Sequence, residues 1–205
     1  MTDLRKITTP IDEAGAIELF RPLAQAIDRA AASKTVDGVI DLVSVCSGAM
    51  RLHDGPLELD GLHLAAGDPT LIVRGDLTVR GVIEQSFRAG FLIVFGHLRA
   101  AHLVTTAQIF VSGDLTVEHT LFGNCTNYAT IVLGHTQAET VVSAKEHYFC
   151  CYGGRTASRV VDCYGDTPNL DDRTDGQEVL VDEVDGGHHA VAVASLLRAG
   201  RAILR

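Results

Sequence analysis

Three histidines in the middle of the chain are of the residue type that binds zinc. His97, His102 and His135 lie among short apolar segments, where side chains on one face of a sheet can meet around a metal ion. Three neutral imidazoles with an open fourth position form a catalytic zinc site, which would make the chain a metal-dependent enzyme. However, His97 and His135 occupy equivalent positions of an internal repeat, whereas Thr140 stands in the position equivalent to His102. Matched positions usually serve the repeated turn itself, so the pattern favours a structural role.

Three cysteines near residue 150 are the second candidate for metal binding. Cys150 and Cys151 are adjacent, Cys163 follows them, and His147 precedes them. The spacing lacks the C-x-x-C pair of a structural zinc site, and cysteine often packs as a small hydrophobic side chain. The chain also has no glycine-rich phosphate loop and no nucleophile elbow. We therefore expect no metal, no cofactor and no enzymatic activity.

Acidic residues are concentrated near the C-terminus. The 205-residue chain has a formal net charge of −9, and residues 162–185 contain nine acids and one base, Arg173. Negative charge disfavours binding to nucleic acids and to anionic membranes, and it favours binding to basic proteins. We therefore expect no nucleic-acid binding. The side chains with which a basic protein partner would make contact are those central to the segment: Asp171, Asp172, Asp175, Glu178, Asp182 and Glu183.

The composition favours a soluble cytoplasmic protein. Hydrophobic residues make up 46% of the chain and charged residues 21%, as in ordinary globular proteins. No apolar run approaches the ~18 residues needed to span a membrane, and the first ten residues lack the apolar core of a signal peptide. Five cysteines in a chain long enough to build a core favour a reducing compartment.

An internal repeat with an offset of 38 residues is the strongest pattern in the sequence. LIVRGDLTV (71–79) aligns with IFVSGDLTV (109–117), and LIVFGHLRAA (92–101) aligns with TIVLGHTQAE (130–139). Twelve of 38 aligned positions are identical, where chance gives about two or three. The repeated units are therefore expected to fold alike and to stack.

The glycines divide each repeat into two shorter units. Gly75, Gly96, Gly113 and Gly134 are spaced by 21, 17 and 21 residues, so the basic period is about 19. Short alternating strands at such a period indicate a solenoid, because one turn cannot bury its own apolar face. We predict an all-β core, a right-handed parallel β-helix, with glycines at corners that need a positive φ or a close backbone approach. The expected inward residues are Leu71, Val73, Leu77, Val79, Ile93, Val111, Leu115, Val117, Ile131 and Leu133.

Segments of a different kind flank the repeats. Residues 1–55 are expected to form a helix, begun by Thr9 and Pro10, followed by a strand over 36–45, and to be a candidate cap for the solenoid. The repeats occupy 56–155, with an early turn at 57–64 and a late one from 148. Residues 156–205 are expected to contain the acidic loop, a helix stopped by Gly200, and a last strand.

The recurring VxGDLxV pattern resembles the bactofilins, the polymer-forming cytoskeletal proteins of bacteria. The resemblance covers about residues 57–150, and the ending LLRAGRAILR is similar to a diverged group of polymer-forming chains. It implies a β-helix that self-associates. Bactofilins are nearly bare β-helices that polymerise end to end, whereas here about 55 residues precede the repeats and about 50 follow. Since covered edges resist edge-to-edge pairing, we expect a low-order homo-oligomer instead of a filament.

Three functions follow from these patterns. The first is a non-catalytic scaffold that associates with itself, as the bactofilin resemblance implies. The alternative is a discrete binding protein, such as an immunity protein that neutralises a toxin through its acidic surface. A metal-dependent solenoid enzyme ranks last.

Overall fold

A computed structural model describes residues 4–32, 48–125, 127–163, 167, 170, 174–175, 180–182, 184 and 190–205. The strand expected over 36–45 lies outside these residues. The described chain forms a parallel β-solenoid of about six turns, which confirms the fold class. Its strands in chain order are β1 Thr9–Ile11, β2 Met50–Asp54, β3 Leu57–Leu59, β4 Leu62–Leu64, β5 Thr70–Arg74, β6 Leu77–Gln85, β7 Leu92–Val94, β8 Leu98–Thr105, β9 Ile109–Val111, β10 Leu115–Gly123, β11 Ala129–Val132, β12 Thr136–Ser143, β13 Tyr148–Cys151, β14 Arg155–Asp162 and β15 Thr174–Asp175.

The strands stack into two sheets. Sheet A has seven strands in the order β1-β2-β5-β7-β9-β11-β13. Sheet B has eight, in the order β15-β14-β12-β10-β8-β6-β3, with β4 also paired to β6. Neighbouring strands are parallel, apart from the antiparallel pair of β1 and β2. Each turn therefore contributes to both sheets.

The strand register confirms the repeat period. Leu71 pairs with Leu92, Leu92 with Ile109, and Ile109 with Thr130, so successive turns advance by 21, 17 and 21 residues. These are the spacings of the glycines. The early turn at 57–64 and the late one from 148 are also confirmed, as β3, β4 and β13.

The long strands of sheet B supply two sides of each turn. β6 has an extra residue between Val79 and Val82, and β10 has one between Val117 and Thr120, each opposite a regular stretch of β8 or β12. A bulge bends the strand that contains it. Each turn thus has three sides. The first is its sheet A strand, the second is the part of its sheet B strand before this position, and the third is the part after it. Leu77, Val79 and Ile83 show that both parts of the strand face the interior.

The interior is one continuous aliphatic column. It contains Leu71, Val73, Leu77, Val79, Val111, Leu115 and Val117 from the predicted inward set. Ile93, Ile131 and Leu133 were wrongly assigned to it, because they lie on the outer face of sheet A. Runs such as Leu92–Val94 are buried on both faces, so alternation of polarity is absent and does not fix which residues point inward.

The N-terminal helix covers the outer face of sheet A. It is α1, Glu13–Ala32, and continues through Pro22. Thr9 and Pro10 lie in β1 instead of starting the helix, and the cap is Asp12, whose Oδ1 accepts the N–H of Gly15 at 2.8 Å. Phe20 is 2% exposed and stacks on Phe95 with ring centroids 5.9 Å apart.

The C-terminal helix covers the third side. It is α2, Ala190–Arg198, and ends at Gly200, whose φ is 67°, as the sequence predicts. Val193 and Leu197 pack on Val104 and Phe122, which point outward from the third side. The expected last strand is reduced to one antiparallel bridge between Leu180 and Leu204. The second side is the one that neither helix covers in the described structure.

Residues of both terminal segments close the ends of the column. Leu4 and Ile7, in and after a 3-10 helix over Leu4–Lys6, pack against the interior at the first turn. Arg51 fixes this segment, because its guanidinium donates to the Thr8 hydroxyl and carbonyl, both at 2.6 Å. At the last turn Leu170 is fully buried against the column. The terminal segments thus cover two lateral faces of the solenoid, and they also pack against the column at both of its ends.

Candidate functional site

The repeated Gly-Asp and Gly-His pairs form a hydrogen-bond ladder at the corner between sheet A and the second side. Asp76 Oδ1 accepts the N–H of His97 at 2.8 Å, and Asp114 Oδ1 accepts the N–H of His135 at 2.8 Å. Between these rungs, His97 Nδ1 accepts the N–H of Asp114 at 3.0 Å. One atom of each of these side chains thus holds successive turns together. The matched aspartates therefore serve the repeated turn itself, which is the role that the repeat predicts for matched positions.

Glycines stack beside this ladder because the backbones of successive turns come too close for a side chain. A Cβ on Gly113 would lie 2.7 Å from the Gly96 oxygen and 2.9 Å from His97 Nδ1. A Cβ on Gly134 would lie 2.5 Å from the Gly113 oxygen. Of the two reasons predicted for corner glycines, close approach applies here, while a positive φ occurs at other glycines such as Gly55.

His102 lies apart from His97 and His135. It stands at the start of the third side, where its ring lies 5.1 Å from the ring of His119, and His119 Nδ1 is 3.1 Å from Glu139 Oε2. Burial, followed by the nearby charge of His119, lowers the pKa of His102 below its ordinary value. The three candidate zinc ligands are thus split between two corners.

The cysteines do not converge. Cys150 points outward from sheet A into the cluster under α1, whereas its neighbour Cys151 packs toward the column, since successive side chains of a strand face opposite ways. Cys163 lies under α2 on the third side. Within the described ranges, no group of three His, Cys, Asp or Glu side chains is placed to hold a metal ion.

A buried carboxylate anchors α2 to the solenoid. Glu84 points outward from the third side at a position that is valine or phenylalanine in the following turns, and its side chain is 6% exposed. Arg198, in the last turn of α2, forms an ion pair with it. His63 Nε2 lies 3.9 Å from Glu84 Oε2 and 3.4 Å from Ser86 Oγ. A Ser-His-acid relay needs its acid and its serine on opposite ring nitrogens, so this arrangement is an anchor.

A histidine is buried inside the solenoid. His147 is 0% exposed, and its ring occupies the space beside Gly123, where a Cβ would come within 2.2 Å of it. Its Nε2 is 3.1 Å from the Thr130 hydroxyl. Burial lowers the pKa of His147 to about 4, and the backbone of Cys125 offsets this only in part. The ring is therefore neutral at physiological pH.

Of the six acidic residues expected to meet a basic partner, only Asp182 has a described side chain. It is exposed and forms an ion pair with Arg205. The backbone of Asp175 belongs to β15, and Asp171, Asp172, Glu178 and Glu183 lie outside the described residues. At the start of the segment, Asp162 is 1% exposed and accepts the Thr167 N–H at 2.9 Å and its hydroxyl at 2.8 Å. One of the nine acids is thus a structural anchor.

Sequence reasoning missed Glu84, His147 and Asp162 as structural groups. Glu84 carries a detectable signal, because it interrupts a row whose later members are Val104 and Phe122. The pairing of His147 with Gly123 has no such signal, since the ring fills a gap in the interior that becomes visible only once the turns are stacked.

The first turn leaves part of sheet B without a neighbour. β1 pairs with β2 at the edge of sheet A, but β3 and β4 have no further partner strand in the chain as described. The Leu57 N–H donates inward to the Asp76 oxygen at 2.8 Å. Because alternate residues of a strand direct their amides to opposite sides, the N–H of Glu58 points away from the solenoid. This edge is able to add a strand.

Comparison with known proteins found no matching family model, no matching curated protein and no matching solved structure. Kinship with the bactofilins therefore stays a prediction. None of the described helices is long and apolar enough to cross a membrane.

Proposed function

We propose that this protein is a non-catalytic β-solenoid scaffold, of bactofilin-like kind, that associates with itself into a small closed homo-oligomer. The observation that carries the proposal is the contrast between the two sheets at the first turn. The edge of sheet A is covered by β1, whereas β3 and β4 leave the edge of sheet B open among the described strands.

The polar side chains support a scaffold more than an enzyme. Asp76, His97 and Asp114 bond to the backbone of neighbouring turns. Glu84 is paired with Arg198, and Asp162 with Thr167. Side chains committed to holding turns and helices in place are poor candidates for work on a substrate.

The packing at the ends of the column supports a small number of copies in the oligomer. Leu4 and Ile7 lie over its first turn and Leu170 over its last, so a second copy cannot simply continue the column. A two-fold contact between two open edges uses the same surface of both copies, so this surface is fully occupied in the pair. Pairing through β3 and β4 therefore joins two copies and no more through that edge, whereas a head-to-tail contact would give a filament.

The test uses Glu58, whose N–H faces outward. Glu58→Pro removes that donor without touching the inward bond of Leu57. Glu58→Thr is the matched control, because it also removes the carboxylate but keeps the N–H. We expect Glu58→Pro to lower the mass measured by light scattering to that of a monomer, while Glu58→Thr keeps the wild-type mass. Equal masses for the two variants would overturn pairing through this edge.

A further inference from the structure

Two polar side chains face the interior at the first turn, where the next turn has apolar ones. In sheet A, Arg51 lies in register with Leu71, and His53 lies in register with Val73. Leu71 and Val73 face the aliphatic column, so Arg51 and His53 face it as well. The first end of the column is therefore lined by polar side chains.

These two side chains hold the N-terminal residues 4–11, which we call the plug. The Arg51 guanidinium donates to the hydroxyl and to the carbonyl of Thr8, both at 2.6 Å. The His53 Nδ1 lies 2.7 Å from the Ile7 carbonyl oxygen. Polar contacts with β2 thus fix the plug over the column, and its apolar side chains add only partial burial.

The plug sets how closely two copies can meet at the first turn. Its strand β1 adds one layer to the end of sheet A, whereas sheet B ends at β3 and β4 in the described chain. Neighbouring strands are about 4.8 Å apart, so two copies that pair through β3 and β4 have both β1 strands between their sheets A. The pairing is thereby restricted to sheet B, and the ends of the two columns stay apart.

The side chains of this sheet B edge suit a two-fold pair. The apolar positions of LELDGLHL (57–64) read the same in both directions, and all four leucines face the column. A two-fold axis between Asp60 and Gly61 therefore places each leucine opposite a leucine of the second copy. In this arrangement the two columns meet as successive turns do within one chain.

The backbone of the edge suits the same register. The Leu64 oxygen accepts the Ser86 N–H at 2.9 Å within the solenoid, so the backbone groups of His63, like those of Glu58, face outward. The two-fold axis places Glu58 of one copy opposite His63 of the other. Residues paired in this way exchange both of their N–H···O bonds across an antiparallel contact.

We propose that the plug is autoinhibitory: held by Arg51 and His53, it confines the pairing of two copies to sheet B, and its release lets the whole first turns and the two columns meet. This inference rests on the proposed function, because it concerns the same edge. Release adds the edge of β2 to those of β3 and β4 and brings the leucines of both copies into contact. It strengthens the dimer without adding copies, because the contact remains two-fold.

Arg51→Gln tests the hold on the plug, because it removes the guanidinium and keeps the end of the column polar. Arg74→Gln is the matched control, since Arg74 lies in the neighbouring strand β5 and pairs with the exposed Asp54. Trypsin cleavage of the full chain after Arg5 and Lys6, followed by mass spectrometry, reports release. We expect Arg51→Gln to raise the cleavage rate by more than about tenfold and Arg74→Gln to leave it unchanged.

Light scattering across a concentration series gives the dissociation constant of the dimer for the same proteins. We expect Arg51→Gln to lower it by more than about tenfold relative to the wild type and to Arg74→Gln. Thr8→Val removes the hydroxyl that Arg51 binds and leaves the first turn unchanged, so it should shift both measurements in the same direction even if Arg51→Gln does not fold.

Wild-type cleavage rates in folded Arg51→Gln and Thr8→Val would overturn the hold on the plug. Faster cleavage with an unchanged or larger dissociation constant would overturn its autoinhibitory role. These failures are distinct from that of the proposed function, which is decided by Glu58→Pro in the wild-type background. A wild type that stays monomeric while Arg51→Gln forms a dimer would contradict the proposed function and support the plug.

Discussion

At the scale of single residues, the spacing between turns depends on glycines that leave no room for a Cβ. We predict that Gly113→Ala lowers the free energy of unfolding by about 2 kcal/mol, since the new methyl would meet the Gly96 carbonyl at 2.7 Å. Gly61→Ala is the control, because its Cβ meets only the Val82 oxygen at 3.7 Å, and we expect a change within about 0.5 kcal/mol. Denaturant unfolding measures both. Similar losses for the two variants would contradict the close-approach account of the corner.

At the scale of elements, the ion pair of Arg198 with Glu84 holds α2 over an apolar face. We predict that Arg198→Ala costs about 2 kcal/mol, because it leaves the buried Glu84 carboxylate without its partner. Arg99→Ala removes an exposed pair with Glu118, 2.7 Å apart, and should cost less than about 1 kcal/mol. Chemical denaturation of both variants gives the comparison, and an Arg198→Ala cost no larger than that of Arg99→Ala would mean that Glu84 does not anchor the helix.

The elements differ in how far they could be predicted from the sequence. The repeat predicts the turns at Gly75 and Gly113, because equivalent strands must stack to bury their apolar faces. It leaves the direction of Ile93 undetermined, because α1 makes both faces of sheet A apolar, and that contact depends on residues distant in sequence. The predicted start of α1 was wrong for a related reason. Thr9 and Pro10 are residue types that often begin a helix, but here they belong to β1, which pairs with β2.

At the scale of the whole molecule, the central claim is that two copies of the chain pair through the edge of sheet B that β3 and β4 form at the first turn. Light scattering of the full-length protein across a concentration series tests this claim most directly. We predict a mass that rises from the monomer value of 21.9 kDa and reaches a plateau at a dimer, since two-fold pairing occupies the β3 and β4 edge of both copies. A mass that grows without limit as concentration rises would show that the ends are open, and a monomer at every concentration would show that the edge formed by β3 and β4 does not pair.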